Sequence, residues 1–166
     1  SNLDMATRLG AILKERGETV AVSESSSGGL ISANILAVPG ASAYFLGGGV
    51  IYTHRARGRL LDVPKEAMEG IRSSSEPYAM LCARTVRAKL STTWGLAETG
   101  ASGPTGNRYG DAAGHTCLAV IIQQRPLNRR SPPIFWKNRG MDIQATMWRQ
   151  IQQGRRKNLP IRSHNH

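Results

Sequence analysis

Residues 20–32 read VAVSESSSGGLIS, and this stretch decides how the chain folds. Its first half is a short β-branched run that predicts a strand, and its apolar second half predicts a packed helix that ends at Pro39. The hydroxyls and glycines between them predict a tight strand-to-helix turn. Such a turn is typical of an α/β sheet, where a helix begins with unpaired N–H groups close to the end of a strand.

Strand and helix alternate along the rest of the chain as well. The apolar spacing predicts helices over 2–16, 54–63 and 73–90, and strands over 47–53, 94–99 and 115–122. Strands separated by helices predict an α/β fold, a single three-layer domain whose mixed, mainly parallel sheet has helices on both faces. We predict that residues 1–122 form this core and that residues 123–166 form a divergent basic segment, broken by prolines, with one closing helix at most.

The net charge of +11 belongs to the C-terminal segment. Residues 1–120 contain 12 Lys/Arg and 10 Asp/Glu, whereas residues 121–166 contain 10 Lys/Arg and a single acid, Asp142. Nucleic-acid binding is therefore expected only if this tail is a functional basic arm. We favour a lineage extension or a mistranslated segment, because loss of a core-covering helix would expose apolar surface. No nucleic-acid partner is thus expected.

Other residue types exclude several classes of protein. Cys82 and Cys117 lie in apolar stretches and predict buried thiols, which fits a reducing, cytoplasmic compartment. The sequence has no run of about 18 apolar residues, so no membrane span is expected. His164 and His166 make a poor metal site, and neither a metal nor a cofactor is expected.

Two polar, glycine-rich loops follow predicted strands, at residues 24–29 and 99–106. Ligands of α/β proteins collect where strands end, so we expect the two loops to form one site. A hydroxyl of the run 25–27 can act as a nucleophile while the N–H groups of Gly28 and Gly29 hold an anion. The alternative is that one serine caps the helix and the others only solvate the turn.

Several motifs, in order, resemble the CinA C-terminal domain family, whose members include nicotinamide mononucleotide amidohydrolases. ESSSGGL (24–30) resembles the family pattern E-S-C-T-G-G-L, ETGASGPTG (98–106) resembles S/T-G-I-A-G-P-x-G, and DAAGHTCLAV (111–120) resembles K-P-V-G-T-V-x-x-A. The resemblance covers about residues 3–120. It implies hydrolysis of the carboxamide of nicotinamide mononucleotide, with release of ammonia and a pyridine nucleotide as small-molecule partner. We also expect a homo-oligomer.

The resemblance also implies which residues act. It places the nucleophile at Ser25 and the family threonine at Ser27. The remaining catalytic positions are Tyr52, Arg57 and Thr99. The substrate-binding positions that we expect are Gly28, Gly29, His54, Gly100, Ala101 and Gly103.

Arg57 departs from the family pattern, because the family has a lysine there that is thought to accept the serine proton. A guanidinium effectively keeps its proton, so Arg57 can bind a phosphate or stabilise an oxyanion but cannot be the base. His54 or another group then acts as the base, or catalysis is lost or altered. A solvated loop histidine is the simpler interpretation of His54.

Glu98 is a second departure, because the family has an apolar residue at this position. Its carboxylate is expected to bind a ribose, to pair with Arg57 or to pair with a surface arginine. Glu24 is expected to hold the turn that follows it. Arg108 and Asp111, in the loop between motifs, are expected to be solvated.

Overall fold

A computed structural model describes residues 1–123 and a strand at 134–139. The four predicted helices are present as α1 (Asn2–Arg16), α2 (Leu30–Leu36), α3 (His54–Leu60) and α4 (Glu76–Leu90). The strands are β1 (Val20–Glu24), β2 (Phe45–Val50), β3 (Trp94–Ala101), β4 (His115–Ile122) and β5 (Ile134–Arg139).

The strands form one sheet in the order β2-β1-β3-β4-β5. β1 lies in the middle of three parallel strands, with β2 on one side and β3 on the other. β4 pairs antiparallel with both β3 and β5, so it alone of the five described strands runs in the opposite direction. The α/β fold with a mixed, mainly parallel sheet is therefore confirmed.

β5 lies in the segment where we predicted an irregular Pro/Arg-rich stretch, and that prediction was wrong. It pairs with β4 from Ile134 opposite Val120 to Arg139 opposite His115. Prolines precede it in the sequence, but a strand can begin directly after a proline, because its ladder does not need the missing N–H group. The closing helix that we predicted further on lies outside the described residues.

The helices cover both faces of the sheet. On one face, branched side chains of the strands pack against α1 and α2, in a cluster that includes Leu9, Leu13, Val20, Val22, Ile31, Ile35, Leu96 and Val120. On the other face, the same strands present mainly small side chains to α4, in a cluster that includes Ala21, Ala79, Ala83, Ala97, Cys117 and Ala119. The predicted three layers are thus helix, sheet and helix.

Helix ends follow the sequence signals. Ser1 and Asp4 form a capping box at the start of α1, and Gly17 ends the helix with φ 61°. Ser75 caps α4 by accepting a hydrogen bond from the N–H of Tyr78.

Within the part of the chain described, no helix is long and apolar enough to cross a membrane and no cluster of metal-binding side chains occurs. Both cysteines are buried, as predicted.

Candidate functional site

The turn between β1 and α2 lies directly against the end of β3. The N–H groups of Ser25 and Ser27 donate to Oε2 of Glu98 at 2.9 and 3.0 Å, and the hydroxyl of Ser26 donates to Oε1. A Cβ added at Gly100 would lie 3.0 Å from Oγ of Ser26. The two loops that the sequence singled out therefore meet at the carboxyl ends of β1 and β3.

Glu98 is 3% exposed and reaches the turn from within the sheet. Besides the three contacts above, the hydroxyl of Ser27 lies 2.7 Å from Oε2. Neither Arg57 nor a surface arginine pairs with this carboxylate in the described residues, so both of those expected ion pairs are wrong. Glu98 instead fixes three consecutive serines in place.

Glu24 performs the matching task on the α2 side of the turn. It is 0% exposed and accepts hydrogen bonds from the N–H groups of Gly29, Ile31 and Ser32 at 2.9, 3.1 and 2.9 Å. The hydroxyls of Ser27 and Ser32 add contacts of 2.8 and 2.7 Å. The prediction that Glu24 holds the turn is confirmed.

Burial raises the pKa of Glu24, but the hydrogen bonds from Ser32, Ser27 and Ile31 outweigh it, so this pKa lies below its ordinary value. The N-cap residue of α2 is Gly29, which has no side chain to offer. Glu24 therefore replaces a conventional cap, and the alternative that a serine caps this helix is wrong.

The N–H groups that were expected to hold an anion are already used. Gly28 N–H donates to the carbonyl of Ser25 at 3.1 Å, and Gly29 N–H donates to Glu24. Those of Ser25 and Ser27 donate to Glu98. The predicted anion cradle at Gly28 and Gly29 is therefore wrong, because a backbone carbonyl takes the first N–H group and a carboxylate takes the second.

Ser25 differs from the two serines that follow it. Its hydroxyl has no hydrogen-bond partner among the described residues, yet it is not a buried orphan, so it reaches solvent. The hydroxyls of Ser26 and Ser27 are both held by carboxylates. Within the run, Ser25 alone presents an uncommitted hydroxyl on a backbone that Glu98 fixes.

The other expected site residues surround this turn at different depths. Thr99 is buried within β3, and Gly100 and Ala101 end that strand, with Gly103 in the exposed loop beyond. Tyr52 is 75% exposed, and the N–H of its neighbour Ile51 bonds to the carbonyl of Glu24 at 2.7 Å. Tyr52 therefore lies at the same edge of the sheet as the β1–α2 turn.

The model of the CinA C-terminal domain family matches residues 2–149. This chain belongs to that family. The match extends beyond the residues 3–120 over which the motifs showed the resemblance, and it includes β5.

Relatives and solved structures agree with this membership. A CinA-like protein of Synechocystis sp. is 44% identical over 102 residues, which are 61% of this chain and 24% of the relative. A CinA-like protein of Sulfurihydrogenibium sp. is 40% identical over 105 residues, which are 63% and 26% of the two chains. The chain thus spans about a quarter of the length of these curated relatives.

Two crystal structures illustrate the shared fold. Competence/damage inducible protein CihA from Agrobacterium tumefaciens has a TM-score of 0.74 and 25% identity, with 92% of both chains covered. The CinA superfamily protein KP700603 from Klebsiella pneumoniae has a TM-score of 0.75 and 21% identity, with 90% of this chain and 89% of that chain covered. The second likeness shows the fold alone.

Arg57, where the resemblance implies a lysine, is 5% exposed and lies close to Tyr78 of α4. Its guanidinium carbon lies 5.9 Å from the ring centre of Tyr78. Burial raises the pKa of Tyr78 and that of Cys82, despite this nearby cation. In the described residues no carboxylate pairs with Arg57, and its Nε has no hydrogen-bond partner.

A separate network shapes the loop between β3 and β4. Arg72 donates two hydrogen bonds to Asp111, at 2.7 and 3.1 Å, and Asn107 adds a third at 2.9 Å. The hydrogen bond from Arg72 is the main cause that lowers the pKa of Asp111 to about 2. The expectation that Asp111 is solvated was wrong. Arg108 is exposed as expected and lies 3.5 Å from Nε2 of His54, which is exposed too.

An open groove of about 700 Å³ lies beside α3 and the segment that follows it. Its lining includes His54 and one carboxylate, Asp62, together with five cationic side chains: Arg55, Arg57, Arg59, Lys65 and Arg72. Of these residues, only His54 and Arg57 were expected at the site from the sequence. The basic run HRARGR (54–59) was the available signal, but Lys65 and Arg72 join it only through the fold.

Proposed function

We propose that this domain is an amidohydrolase that converts nicotinamide mononucleotide to nicotinate mononucleotide and ammonia. The hydroxyl of Ser25 attacks the carboxamide carbon, ammonia leaves, and water then hydrolyses the acyl-serine ester. The observation that carries the proposal is the uncommitted Ser25 hydroxyl on a turn that Glu98 and Glu24 hold rigid. Membership of the CinA family supports the class of substrate.

The charge of the turn also supports a pyridine nucleotide. Glu24 and Glu98 place two buried carboxylates next to Ser25, and none of the described salt bridges neutralises either of them. The pyridinium ring of nicotinamide mononucleotide carries a positive charge. An acidic turn therefore favours an amide on a cationic pyridinium ring over an amide that carries no charge.

The base in this reaction is a group other than Arg57. A guanidinium does not release its proton at neutral pH, and this one is buried against Tyr78. His54 makes no hydrogen bond to Ser25, but it begins the helix that follows β2 at the same edge of the sheet. Loss of ammonia release in His54→Ala would assign it the role of base.

Ammonia release from nicotinamide mononucleotide tests the proposal. Ser25→Ala is expected to reduce turnover to the background rate, because the nucleophile is gone while the hydrogen bonds of the turn remain. Thr7→Ala, which removes an exposed hydroxyl from α1, is the matched control and should retain full activity. Unchanged turnover in Ser25→Ala would contradict the proposal.

The burial of Arg57 favours a second candidate, a nucleotide-binding family member without turnover. Stabilisation of the protein by nicotinamide mononucleotide with no ammonia released is the expected signature. Arg57→Lys separates the candidates, because a lysine at this buried position can be neutral and accept a proton. Turnover that appears only in Arg57→Lys would show that the base alone is missing.

A further inference from the structure

We propose that the groove beside α3, defined by the lining residues given above, binds the phosphate of a small organic phosphate. This inference deepens the proposed function, because it assigns the place of the charged end of the substrate. It does not require turnover, so binding and catalysis can fail separately. The β1–α2 turn does not suit this role, because its N–H groups at Ser25, Ser27 and Gly29 donate to two buried carboxylates. The N–H of Gly28 donates to a backbone carbonyl.

The state of Arg57 is the first argument. A buried guanidinium without a carboxylate partner is costly, and the described residues offer none, while Nε lacks any hydrogen-bond partner. The contact with the Tyr78 ring compensates only a part of this cost. An anion that enters the groove supplies the missing negative charge at a side chain that lines it.

The charges along the rim are the second argument. Arg55, Arg59 and Lys65 line the groove, and none of them has an ion-pair partner in the described part of the chain. The single acid of the lining, Asp62, is already paired with Lys89. Arg72 is likewise paired with Asp111, so in the described residues Arg55, Arg57, Arg59 and Lys65 are the lining cations that remain without a counter-ion. Clustered cations without counter-ions attract anions.

The small area over which these cations are clustered, together with the volume of the groove, indicates a small ligand. Residues 1–120 contain only two more cations than acids, so within this part of the chain the excess of cations is local to the groove. A volume of about 700 Å³ falls in the range of sites for small molecules. Guanidinium groups suit phosphate oxygens, because they donate two parallel hydrogen bonds.

The position of the groove relative to Ser25 fits a single elongated ligand. Val50, the last residue of β2, lies opposite Glu24, the last residue of β1, in a parallel pair. α3 begins four residues after β2 ends, so its basic first turn and Ser25 lie at the same edge of the sheet. A ligand with a cationic ring at the acidic turn and a phosphate in the groove matches both charges.

Direct binding of inorganic pyrophosphate, measured by titration calorimetry at low ionic strength, tests the groove without turnover. We expect Arg59→Glu combined with Lys65→Glu to weaken binding about tenfold, because each change reverses an exposed charge on the rim. Arg84→Glu reverses an exposed charge on α4 outside the groove and should leave the dissociation constant within about twofold. Circular dichroism and melting curves verify that each variant is folded.

A variant of Arg57 and a second ligand complete the test. Arg57→Met should abolish pyrophosphate binding, and the rim variants give the answer if Arg57→Met does not fold. Equal affinity in the wild type and the double rim variant, or no binding by the wild type, would overturn the groove proposal. Tighter binding of a short single-stranded oligonucleotide than of pyrophosphate would overturn it in favour of nucleic acid. Pyrophosphate binding without ammonia release would leave the groove standing and refute only the amidohydrolase.

Discussion

Ser27 joins two buried carboxylates through one hydroxyl. Its Oγ lies 2.8 Å from Oε1 of Glu24 and 2.7 Å from Oε2 of Glu98. A serine hydroxyl has a single proton to donate, so both acceptors compete for it and both depend on it. The hydroxyl of Ser25, two positions earlier, has no hydrogen-bond partner in the described residues. The same substitution at the two serines is therefore expected to change the stability of the protein by different amounts.

Removal of these two hydroxyls separates structure from chemistry. Ser27→Ala should lower the free energy of unfolding by about 1–3 kcal/mol, because both carboxylates lose a donor in a buried place. Ser25→Ala should change it by less than about 0.5 kcal/mol, since no hydrogen bond is lost. Urea unfolding curves of the two variants provide the comparison. Equal destabilisation would contradict this difference and would assign Ser25 a structural role.

The contiguous strand, polar turn and helix pointed to the serine run 25–27 and to Glu24, whereas the family resemblance singled out Ser25 within that run. Sequence reasoning noticed that Glu98 is unusual but assigned it the wrong partners, since the donors are more than 70 positions away. It also expected Gly28 and Gly29 to bind an anion, because the sequence does not show that Glu24 and a backbone carbonyl accept from their N–H groups. Hydrogen bonds across the sheet become visible only with the fold.

Helix α4 packs directly against β3, and the contact is close at Gly95. A Cβ added at Gly95 of β3 would lie 2.2 Å from the carbonyl oxygen of Ala83 in α4 and 2.7 Å from Cβ of Arg87. Backbone atoms cannot move aside as a flexible side chain can. The helix therefore rests on the strand only because residue 95 is a glycine.

Gly95→Ala should accordingly destabilise the fold by about 1–3 kcal/mol, because α4 must move away from the sheet. Gly58→Ala is the matched control within α3, where the nearest atom to the new Cβ is 4.0 Å away. It should raise the free energy of unfolding by up to about 1 kcal/mol, through higher helix propensity. Thermal or urea unfolding measures both; a neutral Gly95→Ala would mean that the two elements are less tightly packed.

The element boundaries show where sequence patterns suffice. Gly17 and Ser75 mark helix ends by local chemistry, so the bounds of α1 and α4 agree with prediction to within a few residues. β2 covers 45–50 rather than 47–53, because its register is set by pairing with β1 and not by its own residues. β5 was missed for the same reason, since β4 supplies the pairing that makes it a strand.

The ion pair between Arg72 and Asp111 connects distant parts of the molecule. It joins the segment before α4 to the loop between β3 and β4, 39 residues apart. Hydrogen bonds chiefly from Arg72 and Asn107 lower the pKa of Asp111 to about 2, whereas an unfolded aspartate titrates near 4. The contact therefore stabilises the fold fully above about pH 4 and progressively less as the pH falls towards 2.

Asp111→Asn should lower stability by about 1 kcal/mol at neutral pH, a modest value because Arg72 is partly exposed. Melting temperatures of the wild type and the variant, taken from pH 7 down to pH 2, should converge as Asp111 becomes protonated in the wild type. A difference that persists at pH 2 would contradict an electrostatic origin.

The homo-oligomer, the cytoplasmic location and the boundary between residues 122 and 123 stay predictions for the whole molecule.

The origin of the two acids around Ser25 has a consequence for how the protein is made. One belongs to the first strand of the chain and the other to the third, so a growing polypeptide that has not yet extended past residue 98 lacks half of what shapes the turn. The serines are therefore encoded well before the strand that supplies their second carboxylate, and the full set of hydrogen bonds around them requires β1 and β3 to be side by side.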